Sequence, residues 1–260
     1  MDPNIKQTIL QKLHKTEENY HVKIPLAIES GSRGWGFAAT NADYDCRFLY
    51  VHQKDWYLSV LERKELIEYA VDEVFDIQGY DISRAIKYIM KPQATLYEWI
   101  SSNVVYIRNE PILAKLQELA IEFFNPIPIS YHYLSLAKKM FSEINDVETA
   151  KIKKYFYILR PIANLNYIQQ HGKMPYMEYD RTLAEIDLNP EIYSAIRELK
   201  AQKMAAREHY LIPKFEPLTR YFQDELARFE ICLKDMKHAK TKNYELADSI
   251  FRSIIEDVWK

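Results

Sequence analysis

Residues 28–51 read IESGSRGWGFAATNADYDCRFLYV, and the fold turns on how this stretch is parsed. An apolar run, VKIPLAIES at 22–30, reads as a short strand that ends in polar residues. It runs into Gly31-Ser32. The chain has 5 glycines in 260 residues, and Gly31, Gly34 and Gly36 fall within six positions. Glycine permits positive φ and lets backbone approach a ligand closely, so the cluster marks a special backbone need. A strand breaking at Gly-Ser exposes backbone N–H groups, often at a helix N-terminus, and these can hold a phosphate. Ser32 adds a hydroxyl. Arg33 is a further phosphate candidate, with a solvated surface charge as its alternative.

Twelve residues past Gly31, Asp43-Tyr44-Asp45 opens a second strand-like run at 44–52, YDCRFLYVH. Successive strand side chains point to opposite faces, so Asp43 and Asp45 share one. Carboxylates roughly 7 Å apart along a strand repel each other unless a cation lies between them. Mg²⁺, which takes carboxylate oxygens together with phosphate oxygens, is the natural neutraliser. An isolated D-x-D reads better as a turn at Asn41-Ala42-Asp43 followed by a surface Asp45. The strand and Gly-Ser turn upstream, at this spacing, shift the reading to a metal pair.

Outward from this stretch, residues 4–19 have the period of an amphipathic helix, with Ile5, Ile9, Leu10 and Leu13 on one side. Residues 64–71 and 73–78 read as further strands. Gly79 and Asp81 form a turn and a helix cap, opening a helix that Pro92 ends. Another helix spans about 95–101. Beyond residue 112 the pattern is helical, with stretches near 112–124, 131–144, 147–170, 178–186, 190–208, 216–239 and 245–258. Breakers such as Asn125-Pro126-Ile127-Pro128 and His171-Gly172 separate them. The sequence therefore predicts an α/β (α+β) N-terminal domain with a small mixed sheet over 1–110. An all-helical C-terminal domain follows over 111–260.

Composition narrows the function. Hydrophobic residues make up 48% and charged residues 28%, with a formal net charge of -2, as in an ordinary globular protein. No global basic field exists for nucleic acid, so RNA would need a local patch. The run Lys234–Lys242 is one candidate, and a solvated helix end is its alternative. Cys46 and Cys232 read as buried reduced thiols, and no Cys/His spacing suggests zinc. The scattered histidines, Trp99 and the many tyrosines read as surface or core residues. The N-terminus is polar, without a signal-peptide core, and no apolar run approaches the ~18 residues of a membrane span. A cytoplasmic protein without membrane contact is expected, and its oligomeric state is left open.

The run Gly31-Ser32-Arg33-Gly34-Trp35-Gly36 followed by Asp43-Tyr44-Asp45 resembles the hallmark of the DNA polymerase beta-like nucleotidyltransferase superfamily. More closely, residues 29–51 resemble the predicted nucleotidyltransferase family linked to RNA repair. The likeness extends to DIQGYD at 76–81, to Glu98-Trp99, and to KKYFYILRP at 153–161. Where relatives often have a Ser-Asp type entry before the metal pair, this chain has Asn41-Ala42, which leaves both carboxylates in place. The resemblance implies a nucleotidyltransferase fold and a two-ion Mg²⁺ site, with Asp43 and Asp45 as ligands and Gly31 and Ser32 at the β/γ phosphates of a nucleoside triphosphate.

It also implies a third carboxylate on a neighbouring strand, which helps hold the metal and can accept the proton of an attacking hydroxyl. Asp76, an acid between apolar residues, is the candidate. The alternatives are Asp72, read as a turn residue, and Asp81, read as a cap. Lys153, Tyr157, Arg160 and Asn164 recur at helical spacing on one face, with Pro161 inside the pattern. Lys153, Tyr157 and Arg160 are nucleotide-binding candidates, with a solvated helix face as the alternative. Arg84 and Lys87 are weaker phosphate candidates.

Three functions compete. The first is Mg²⁺-dependent transfer of a nucleoside monophosphate to a hydroxyl, an RNA end foremost, with release of pyrophosphate. The second is a catalytically weak nucleotide- or protein-binding regulator on the same fold. The third is a helical interaction protein working through its C-terminal half.

Overall fold

The computed structural model describes residues 2–39, 42–69, 74–205, 210–237 and 242–260, with the side chains of 204 and 205 left aside. In chain order the elements are α1 (Pro3–Tyr20), β1 (Val22–Glu29), the single turn α2 (Gly31–Gly34), β2 (Tyr44–His52), α3 (Lys54–Tyr57), β3 (Leu66–Glu68), β4 (Phe75–Asp81), α4 (Ile82–Met90), α5 (Ala94–Ser101), β5 (Val105–Arg108) and α6 (Glu110–Phe123). Then follow α7 (Pro126–Ser142), β6 (Thr149–Lys151), α8 (Ile152–His171), α9 (Tyr179–Ala184), α10 (Pro190–Ala205), β7 (Leu211–Pro213), α11 (Glu216–Asp235) and α12 (Tyr244–Val258).

The chain packs as two compact units. Of the described residues, one holds 2–34, 43–69, 74–124 and 242–260; the other holds 35–39, 42, 125–205 and 210–237. Packing thus groups α6 and α12 with the N-terminal sheet, whereas the sequence reading divides the chain at 110/111 into catalytic and helical domains.

The first unit is built on a mixed five-stranded sheet in the order β3-β4-β2-β1-β5. β2 and β4 run parallel, and the other pairs are antiparallel. Strand β2 shows why the sheet has two characters. Tyr44, Cys46, Phe48 and Tyr50 are buried, while Asp45 and Arg47 between them are half-buried. The first set joins Ile9 and Leu13 of α1 with Val22, Ile24, Ile77 and Tyr106 in one apolar core. The opposite face of β2 carries Asp45 and Arg47 at the strand's start and the buried Leu49 and Val51 beyond them. Gly79 is fixed by this core: a Cβ there would lie 2.1 Å from the Phe48 ring. β5 is a finding beyond the sequence reading, because VYIR is too short to carry a period.

The second unit wraps helices around α8. From Ile152 to Ile168 this helix is buried on nearly every side, so its neighbours α7, α9, α10 and α11 enclose it. Asn125-Pro126 starts a helix rather than breaking one. The Asn125 side chain accepts from the Ile127 N–H at 3.0 Å, and Pro126 takes the first turn, where its missing N–H costs nothing. The short strands β6 and β7 pair with each other between the helices. Among the described residues no helix is long and apolar enough to cross a membrane.

Candidate active site

The edge of the sheet where β1 ends is held by reciprocal bonds around Asp45. The Ser30 N–H donates to the Asp45 carbonyl at 2.8 Å, and the Asp45 N–H donates to Oε1 of Glu29 at 3.0 Å. The chain then turns through Gly31 at φ +54. That left-handed conformation suits glycine, and space demands glycine too, because a Cβ on Gly31 would lie 1.8 Å from Oδ2 of Asp45. The bend and the aspartate are therefore in contact, and the acid faces the bend. Arg33 leaves the single turn α2 and folds back. Its Nε donates to the Asp43 carbonyl at 3.0 Å, and its guanidinium lies 3.9 Å over the Tyr44 ring. Asp43 is exposed and just precedes β2, which begins at Tyr44.

Asp76 stands directly opposite Asp45 in the parallel pairing of β4 with β2, so both carboxylates project from the same face. Between them lies Arg47, two residues past Asp45 on the same side of β2. Its Nη2 donates to Oδ2 of Asp76 at 2.6 Å and to Oδ1 of Asp45 at 3.3 Å. Burial raises the Asp45 pKa above the usual carboxylate value. Arg47 opposes this, while repulsion from Asp43 and Asp76 adds to it. Asp43, Asp45 and Asp76 thus share one electrostatic environment.

Glu29 is fully buried beneath the pair. Burial pushes its carboxyl up to about 7, against the opposing hydrogen bonds from the Tyr106 hydroxyl and the Asp45 N–H. The other acids are placed differently. Asp81 is buried on the far face and caps α4, accepting from the Ser83 N–H at 2.8 Å and from the Tyr57 hydroxyl at 2.8 Å. Asp72 lies outside the described residues, as does Asn41.

The family model described as "RNA repair pathway DNA polymerase beta family" matches residues 5–253. The chain belongs to this family. It is 32% identical over 256 residues, 98% of each chain, to the uncharacterized protein YcgL of Bacillus subtilis strain 168. Among solved structures, a nucleotidyltransferase-like protein from Exiguobacterium sibiricum 255-15 aligns over 95% of this chain and 79% of its own, at 11% identity and a TM-score of 0.32.

For a member of the RNA repair pathway DNA polymerase beta family, the sequence-derived candidates fall into two groups. Gly31, Ser32, Arg33, Asp43, Asp45 and Asp76 gather in the first unit. Lys153, Tyr157 and Arg160 lie on α8 in the second, whose polar face is not a solvated one: Arg160 is 4% exposed and Asn164 1%. The Arg160 guanidinium lies 4.2 Å from the Trp35 ring centre, and Tyr157 meets Trp35 edge-on at 5.9 Å. Together with Leu136 and Met140 these three line a cavity of about 180 Å³. Arg84 is taken up by Tyr80 and Tyr88, and Lys87 pairs with Glu65 at 2.6 Å. Trp99 is core, stacked on Tyr80. Lys234 lies in the last turn of α11, and residues 238–241 of the basic run lie outside the described residues.

Two residues of the acidic corner were not among the candidates. Arg47 had a signal, since D-x-D-x-R at period two puts the arginine on the same face. Glu29 had almost none, because its partner Tyr106 sits in the unpredicted strand β5.

Among the described residues no three His, Cys, Asp or Glu side chains form a ready-made metal cluster. Carboxylate oxygens are the donor type that Mg²⁺ takes, and Asp45 and Asp76 present them side by side. Asp45 and Asp76 both direct an oxygen at one cationic group, and Gly31 leaves the Asp45 carboxylate a space that any side chain would fill.

Proposed function

We propose that the protein is a Mg²⁺-dependent nucleotidyltransferase of the cytoplasm. It moves a nucleoside monophosphate from a triphosphate to a hydroxyl, an RNA end foremost, and pyrophosphate leaves. The observation that carries this reading is the contact of the Gly31 bend with the Asp45 carboxylate, with Asp76 in register beside it. A glycine-serine turn in contact with one acid, with a second acid in register beside it, suits a triphosphate with its divalent ions.

In this reading the N–H groups of the Gly31-Ser32 turn and the Ser32 hydroxyl orient the β and γ phosphates. Asp43, Asp45 and Asp76 would hold two Mg²⁺ ions, and the chemistry the ions would supply there is stabilisation of the negative charge that builds up as the triphosphate reacts. Asp76 also accepts the proton of the attacking hydroxyl. Arg33, Lys153, Tyr157 and Arg160 are assigned to the nucleotide. Glu29, bonded to the Asp45 N–H, holds the strand on which Asp45 sits.

The test is incubation with each α-phosphate-labelled triphosphate, Mg²⁺, and RNA or protein acceptors. Label should enter one acceptor class with the wild-type protein and none with the Asp43→Ala/Asp45→Ala double variant. Transfer that survives in the double variant removes the assignment. One observation favours a second reading, a nucleotide-binding regulator without turnover: Arg47 already neutralises two of the acids. Saturable nucleotide binding with no labelled product would select it.

A further inference from the structure

The Arg47 guanidinium is held by four oxygens. Nη2 takes the carboxylates of Asp45 and Asp76, and Nη1 donates to the Asp76 carbonyl at 2.8 Å and the Cys46 carbonyl at 3.1 Å. The three side chains are all largely buried, at 16% exposure for Arg47, 20% for Asp45 and 30% for Asp76. A rigid planar fork matched to two main-chain and two side-chain acceptors is a pre-organised arrangement. Two of its contacts, those to carboxylates, use oxygens that a divalent ion would need. Mg²⁺ binds oxygens at about 2.0–2.1 Å in near-octahedral geometry. A guanidinium donating to Oδ1 of Asp45 and Oδ2 of Asp76 competes with it for those oxygens, by space and by like charge.

We propose that Arg47 is an internal counter-cation that closes the Asp45–Asp76 pair and must release it before a divalent ion binds there. This rests on the metal site of the proposed function and adds a threshold to it. The main-chain contacts of Nη1 do not compete with a metal, so the guanidinium yields its carboxylates without leaving the strand. Apparent metal affinity is then the affinity of the open site reduced by the fraction of molecules in which it is open. A site open in about one molecule in ten pays a tenfold reduction. A triphosphate offers the released guanidinium new acceptors, so nucleotide and metal assist each other's binding, as linkage requires. Arg47 in this role is a positioning residue that governs access to the acids.

The experiment measures Mn²⁺ binding by electron paramagnetic resonance on the full chain without nucleotide. Wild type is compared with Arg47→Gln, Arg47→Lys and Asp45→Asn. Arg47→Gln should bind Mn²⁺ about tenfold tighter than wild type, and Asp45→Asn more weakly. The melting temperature of metal-free Arg47→Gln should fall below that of wild type, and Mn²⁺ should raise it by more than it raises wild type. A merely structural arginine would give the fall without the larger recovery. If Arg47→Gln does not fold, Arg47→Lys decides, because a lysine cannot keep both sets of acceptors and should bind the ion tighter than wild type. Equal or weaker binding by a folded Arg47 variant overturns the inference while leaving the metal site standing. Absence of Mn²⁺ binding in every protein overturns both.

Discussion

The corner at Gly31 and Asp45 and the polar face of α8 differ in what fixes them. In the corner, local rules suffice. Period two puts Asp45 and Arg47 on one face of β2, and the register of β2 with β4 adds Asp76. On α8, spacing puts Tyr157, Arg160 and Asn164 on one helix face but says nothing of their surroundings. Arg160 is buried because Trp35, 125 positions earlier, covers it. One region is a chemical arrangement supported by the backbone. The other is a set of polar side chains built into a helical core, where a change acts on packing as well as on any ligand.

That contrast is sharpest for Asp45→Asn. The variant keeps shape and relieves repulsion among the acids, so the melting temperature should hold or rise slightly. Nucleotide transfer should fall by more than about a hundredfold, beyond what loss of a metal's outer partners costs. A large loss of stability with unchanged activity per folded molecule would make Asp45 a scaffold residue and dissolve the distinction. Gly31→Ala should come next, with turnover down by roughly tenfold or more. The left-handed φ costs a side chain roughly 1–2 kcal/mol, and the Cβ must displace the Asp45 carboxylate it would overlap. Activity equal to wild type would mean that the bend and the acid need not touch.

Arg160→Ala tests the other region and should show the opposite balance. Loss of the stack on Trp35 and of buried side-chain packing should cost about 2 kcal/mol, read as a lower denaturation midpoint. Triphosphate affinity should fall by several-fold. A weaker affinity at unchanged stability would move α8 from the packing side of the comparison to the ligand side. Lost stability with full affinity would return Arg160 to the core and take it out of the proposed nucleotide contacts.

The sequence made strands β1 and β2 legible because their determinants lie within a few residues. The cap at Asp81 was readable for the same reason, an acid just before an apolar helical period. What stayed hidden was long-range. β5 has four residues and gains its place only by pairing with β1. Residues 35–39 pack with the helices rather than with the sheet that flanks them in sequence. The environment of Glu29 depends on Tyr106, 77 positions away. An acid at the end of an apolar strand reads as the polar boundary of that strand, and nothing nearby announces that it is sealed in.

Glu29 links the two kinds of determinant, since its position is local and its ionisation is not. Its folded pKa is raised from 4.5 to about 7 by burial. A group that holds its proton more tightly when folded contributes stability that is complete below pH 4.5 and is lost as pH rises through 7. The full span is about 3 kcal/mol, at 1.36 kcal/mol per unit. Glu29→Gln keeps an acceptor for the Asp45 N–H and a polar partner for Tyr106 but does not titrate. Urea unfolding of the two proteins from pH 4.5 to 8 should therefore give curves that converge at low pH. Above it, wild type should fall away from the variant. Transfer activity near pH 6, where Glu29 is mostly neutral, should differ between the two by less than a few-fold. Parallel stability curves would mean that Glu29 carries its charge comfortably in the fold, and the tie between the buried carboxyl and the strand that bears Asp45 would then be steric alone.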